Sequence, residues 1–275
     1  MTDFLTAYQH TTHRPAPPDA NRLAPLFAQI AADHLLPPRG QQAVDAGFTA
    51  HTLSDAHENP PIYHYYQWVL ANCLAEHPVH ELSAQLVGNS FVCVNLFQTD
   101  LPQPLTLNPW QVSAMADFPL MTNCAVMIEN NGVFAWLHHR HPNWPLIDQA
   151  GNDFNSTANR LLQRLVHRGV AVTYLGDLDS PGIQIAERVQ RLIPQVPADE
   201  LFALQLPQRV FAWLVQYGKP DAKRTKQQTV QTPLLQETLT SIHTLGKFVE
   251  QEQLIAAYED LIPAWLAQHA PKSES

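Results

Sequence analysis

The sequence predicts an α/β protein, a parallel sheet flanked by helices and preceded by a smaller α+β domain, and three observations lead there. Short apolar runs at 124–128, 145–147 and 170–175 each precede a stretch with helical spacing, at 132–139, 155–167 and 182–193. That alternation is the pattern of βαβ units around a buried parallel sheet. Residues 1–120 hold three basic and ten acidic side chains, whereas residues 121–275 hold thirteen and fifteen, so the chain reads as two domains, 1–120 and 121–275. With 275 residues, 45% of them hydrophobic, it buries a real core without disulfides, which excludes fibrous and disordered classes.

In the first domain, residues 21–33 carry apolar side chains at spacings of three and four, with Pro25 suited only to a first turn. Residues 61–76 read as a second helix with Tyr63, Tyr66, Val69, Leu70 and Cys73 on one side. Residues 86–97 alternate like a strand, and 101–110 form a proline-broken loop or edge. Cys73, Cys93 and Cys124 form no CxxC pair and read as small core hydrophobes. No apolar run approaches the 18 residues of a membrane span and the start lacks the features of a signal peptide, so the expected location is the cytoplasm, with no membrane partner.

In a parallel sheet the functional groups sit at the carboxyl ends of the strands. Glu129 follows the first run of the second domain, and Asp177 and Asp179 follow the third, in GDLDSPG. Two residues apart in extended chain, the two aspartates point the same way. Any one of these acids alone reads equally as a helix cap, Asp179-Ser180-Pro181-Gly182 being a good helix start. Three like charges crowded at one edge repel unless a cation lies between them, and all-oxygen ligation points to Mg²⁺ or Mn²⁺ rather than zinc.

The order of these motifs resembles the Toprim domain of topoisomerases and primases. More narrowly, it resembles the nuclease subunit of Wadjet-type anti-plasmid systems, which is related to the A subunit of type IIB topoisomerases. The matching residues are Glu129-Asn130 with Phe134, the glycine-containing turn and Ser/Thr-opened helix of AGNDFNSTAN (150–159), GDLDSPGIQIA (176–186) and GKFVEQE (246–252). The resemblance implies a metal-dependent DNA endonuclease with Glu129 as ligand or general acid/base and Asp177 and Asp179 as metal ligands. Glu250 and Glu252 are further ligands or line a helix. It also implies plasmid or phage DNA as substrate, other subunits of an SMC-like defence complex as partners, and a homodimer as one assembly. Two other readings stay open, a non-catalytic partner-binding subunit that keeps the frame and a type IIB topoisomerase-like component.

A net charge of −9 argues against nucleic acid only at the scale of the whole chain. Residues 160–226 hold ten basic and six acidic side chains. Arg160, Arg164 and Arg168 stack along one helix face by their spacing of four, and Lys219, Lys223, Arg224 and Lys226 lie in a polar segment suited to a phosphate backbone. An ordinary solvated face is the plain alternative for the helix. His138, His139 and His141 suit a helix C-terminus better than a zinc site. Tyr63, Tyr65 and Tyr66 read as packing, which leaves water as the nucleophile.

Overall fold

The computed structural model describes residues 4–37, 39–49, 51–81, 91–149 and 156–269. The chain divides into two compact units, Met1–Gly88 and Asn89–Ser275, each with a hydrophobic core of its own.

The first unit contains helices α1 (Phe4–Thr12), α2 (Ala24–Ala31), α3 (Arg39–Asp45) and α4 (Pro60–Asn72). Pro25 sits in the first turn of α2, where a missing N–H costs nothing, and Leu26, Phe27 and Ile30 face the core. The Asn59 side chain caps α4 by accepting from the Ile62 N–H. Its buried side is Ile62, Tyr65, Tyr66 and Val69, with Tyr65 edge-on to Tyr8 and Phe27, so Tyr65 rather than Tyr63 completes the packed face. An α+β domain was the expectation here, but the described residues are helical, with a single isolated bridge between Leu36 and Glu81.

The missing strand belongs to the second unit. Of the expected strand 86–97, residues 86–90 lie outside the described residues, and the rest supplies β1 (Phe91–Val94). With β2 (Leu105–Leu107), β3 (Cys124–Ile128), β4 (Leu146–Asp148) and β5 (Ala171–Leu175) it forms one five-stranded sheet in the order β2-β1-β4-β3-β5. The sheet is mixed rather than parallel throughout, because β3 runs parallel to β4 and β5 while β1 runs antiparallel to both β2 and β4. A division at residue 120 would strip two strands from this sheet and leave the backbone of β4 unpaired on one side, which is costly in a core. The proline-broken segment is an edge, as its composition requires.

All five residues of β3 are buried, as is most of β5, which is why both read as continuous apolar runs. Register places Ile128 beside both Asp148 and Leu175, so residues 129, 149 and 176 leave the sheet at one edge. Helices α5 (Pro109–Met115), α6 (Asn131–Arg140), α7 (Ser156–His167), α8 (Ser180–Leu192), α9 (Ala198–Leu201), α10 (Pro207–Tyr217), α11 (Pro233–Leu245) and α12 (Ile255–His269) complete the unit. A two-stranded ribbon pairs β6 (Lys219–Pro220) with β7 (Lys247–Phe248). No described helix is long and apolar enough to cross a membrane.

Candidate metal centre

The turn after β5 is built by backbone pairing and two glycines. Leu178 exchanges both main-chain hydrogen bonds with Val249, at 2.9 and 3.2 Å, which brings the segment after β7 against the Asp177–Asp179 turn. Leu178 is buried, and the alternation of extended chain sends its two neighbours to the other side. Asp179 caps α8, accepting from the Gly182 N–H at 2.6 Å. Gln205 clamps Gly176 from both directions, accepting from its N–H at 3.1 Å and donating to its carbonyl at 2.9 Å. A Cβ on Gly176 would strike the Glu129 carboxylate and the Tyr174 ring, and one on Gly182 would strike the Asp177 carbonyl. Both glycines are there because backbone and carboxylate must approach closely.

Glu129 is 7% exposed, and its Oε2 accepts from the Tyr174 hydroxyl at 2.7 Å and the Asp177 N–H at 3.2 Å. Burial pushes its pKa up to about 7, the Tyr174 hydrogen bond opposes this, and the charges of Asp177 and Asp179 add to it. Asp177 is likewise raised, first by burial and then by its carboxylate neighbours Asp179 and Glu252, against the pull of the Gln251 N–H and Arg224. Tyr174 is held well above its ordinary value by burial and by Glu129.

The cation among these charges is Arg224. Its Nη2 donates to Asp177 Oδ2 at 3.0 Å, its Nε to Asp179 Oδ2 at 2.6 Å and its Nη1 to Glu250 Oε1 at 2.8 Å. The Phe248 ring lies 4.3 Å from the guanidinium carbon. Burial works against the charge on Arg224, yet hydrogen bonding to Asp179 and the charges of Asp179, Asp177 and Glu250 outweigh it and hold its pKa above the ordinary value.

Carboxylate oxygens are the donors a hard cation takes, but their spacing here suits a guanidinium. Mg²⁺ holds oxygens at about 2.0–2.1 Å, whereas the three carboxylates lie 2.6–3.0 Å from three separate nitrogens of a flat group. Accordingly, no three His, Cys, Asp or Glu side chains among the described residues are gathered closely enough to hold a metal ion as placed. Glu129 adjoins Asp177 without sharing Arg224, its Oε2 being taken by Tyr174 and a backbone N–H.

The late acidic pair divides. Glu250 joins Arg224, while Glu252 accepts from the Asn130 side chain at 2.9 Å on the exposed rim. Gln251 between them is buried, its N–H donating to Asp177 Oδ1 and its Oε1 accepting from the Asn130 N–H, both at 2.9 Å. Asn130 also caps α6 through the Gly132 and Val133 N–H groups. Tyr174 and Gln205 lie outside the quoted motifs, whereas Phe248 and Gln251 fall within GKFVEQE, of which the sequence singles out only the two glutamates. The apolar β5 run, whose Tyr174 pairs with Met127 of β3, is the one signal for Tyr174.

The basic residues are less uniform than their spacing suggests. Arg164 pairs with Asp117 at 2.6 Å and Arg168 donates to the carbonyls of Ala116 and Phe118, so both are spent on residues 116–118 rather than forming an open stripe with Arg160. Arg160 is exposed and, among the described residues, donates to the Thr157 hydroxyl at 3.4 Å. Lys219, Lys223 and Lys226 are exposed. The turn AGNDF at 150–154 lies outside the described residues. His141 stacks on Trp144 and, with Arg140, binds Glu259 of α12, which gives the end of α6 a structural role.

No protein of curated function matches the sequence. The family described as protein of unknown function C-terminus (DUF2399) matches over residues 105–261, which contain β2 to β5, Glu129, the Asp177–Asp179 turn, Arg224 and Glu250. The chain belongs to this family.

Proposed function

We propose that the chain is a divalent-metal-dependent DNA endonuclease built on a Toprim-like domain and acting within a Wadjet-type anti-plasmid defence assembly, with Mg²⁺ or Mn²⁺ as its ion. One observation carries the reading: Asp177 and Asp179, at the carboxyl end of β5, meet Glu250, distant in sequence, around the Arg224 guanidinium, and Glu129 at the end of β3 adjoins Asp177. Asp177, Asp179 and Glu250 would hold the ion. When bound, it supplies neutralisation of the phosphate and of the leaving oxygen.

The chain's own groups do the rest. A carboxylate with a pKa near 7 is matched to taking a proton from an attacking water and returning it. The Tyr174 hydroxyl fixes which oxygen of Glu129 is presented, and Gln205 fixes the turn that sets its distance from Asp177. Exposed Lys219, Lys223 and Lys226, in or beside the segment that carries Arg224, suit phosphate contacts that position DNA without reading its sequence.

A second reading is favoured by Arg224 itself. A site that already balances three carboxylates with an internal cation is what a partner-binding module keeping the frame without the chemistry would show. A topoisomerase-like adduct is less well supported, since Tyr65 and Tyr66 are core residues of the first unit. Nicking of supercoiled plasmid with Mn²⁺ separates the first two. The nuclease reading expects relaxed product from the wild type and at least 100-fold less from Asp177→Asn or Glu129→Gln with unchanged folding. Equal nicking by all three overturns the site assignment, and none by the wild type together with its partner subunits favours the second reading.

A further inference from the structure

We propose that Arg224 is an exchangeable cation, its guanidinium and the divalent metal competing for the carboxylates of Asp177, Asp179 and Glu250. The inference rests on the metal reading above and adds the step by which the ion gains access. Three carboxylates against one guanidinium leave a local charge of −2, which a divalent ion would halve, so the position favours the more highly charged occupant.

The geometry allows the exchange by side-chain motion alone. The backbone of Arg224 is fixed at both ends, its carbonyl accepting from the Ser180 N–H at 2.8 Å and its N–H donating to Asp221 Oδ1 at 3.1 Å. Its side chain is 29% exposed, packed on Phe248, and can turn into solvent without opening the core. Once out, the guanidinium lies on the same segment as exposed Lys223 and Lys226 and becomes a bidentate phosphate donor. Metal entry would thereby create a DNA contact that the metal-free site withholds.

Calorimetric titration of MnCl₂ into the full chain and its Arg224→Gln and Arg224→Lys variants tests this. Competition predicts at least 10-fold tighter binding by the Gln variant than by the wild type. The Lys variant, with a compact ammonium unable to span three carboxylates, falls between. Equal affinity in all three overturns the exchange and leaves the metal reading standing, whereas no binding in any of them overturns both. A measurement on the wild type covers the case in which the variants fold poorly. Modification of Arg224 by phenylglyoxal, followed by peptide mass spectrometry, accelerates on adding Mn²⁺ if the guanidinium is expelled, and an unchanged rate overturns the proposal.

Discussion

Two sets of arginines in the second unit differ in what their charges do. Arg164 on α7 pairs with exposed Asp117, and Arg168, just past the end of that helix and half-buried, donates to the carbonyls of Ala116 and Phe118. Arg224, in a loop, joins three carboxylates from two segments, the Asp177–Asp179 turn and Glu250, one of them on the buried Asp179. Screening by water makes the Arg164–Asp117 pair nearly neutral to stability, while partial burial among three carboxylates makes Arg224 consequential. Charge spacing in sequence reports where charges stack, and only tertiary structure reports what they balance.

The difference can be broken most strongly at Asp179. Asp179→Ala removes the cap of α8, worth about 1 kcal/mol, and the charge-assisted hydrogen bond to Arg224 Nε, worth roughly 2 kcal/mol more, while Asp177 and Glu250 keep the guanidinium paired. Chemical denaturation should show the sum, about 3 kcal/mol, and a loss under 1 would mean that Arg224 is not held as described. The next effect concerns Glu129. Its folded-state pKa of about 7 lies above the ordinary 4.5, so the folded chain holds this proton more tightly than the unfolded one. Its contribution is complete below pH 4.5 and is lost as pH rises through 7, up to about 3 kcal/mol. Stability measured from pH 4.5 to 8 should fall less steeply in Glu129→Gln than in the wild type, and parallel curves would refute the buried carboxyl.

Gly176→Ala forces a methyl group against Glu129 and Tyr174 and should cost about 2 kcal/mol. A cost near zero would mean that the Gly176 contact is looser than described. The smallest effect is Asp117→Ala, which releases exposed Arg164 and should leave the melting temperature unchanged. A clear drop there would erase the contrast between the two arginine sets.

Much of the second unit was legible because β3 and β5 are buried on both faces and α7 and α8 keep a clean apolar stripe. Glu129, Asp177 and Asp179 were legible because strand ends share an edge. The mixed sheet was not, since β1 and β2 join it antiparallel across the chosen boundary, and long-range pairing leaves no local period. Arg224 was read as one basic residue among several because nothing in AKRTK distinguishes it from its neighbours. Its role depends on the Ser180 and Asp221 anchors and on the Leu178–Val249 pairing that brings Glu250 alongside. Gln205, and the role of Gln251 within GKFVEQE, were not legible for the same reason, as each acts through backbone groups far away in sequence.

On the proposed reading, the position between Asp177, Asp179 and Glu250 takes a divalent cation. Crystals of the chain soaked in MnCl₂ and measured for anomalous scattering test it directly. One manganese peak is expected within coordination distance of these three carboxylates, with the Arg224 guanidinium turned away. The absence of a peak there, with the guanidinium still bridging all three at saturating Mn²⁺, would contradict it.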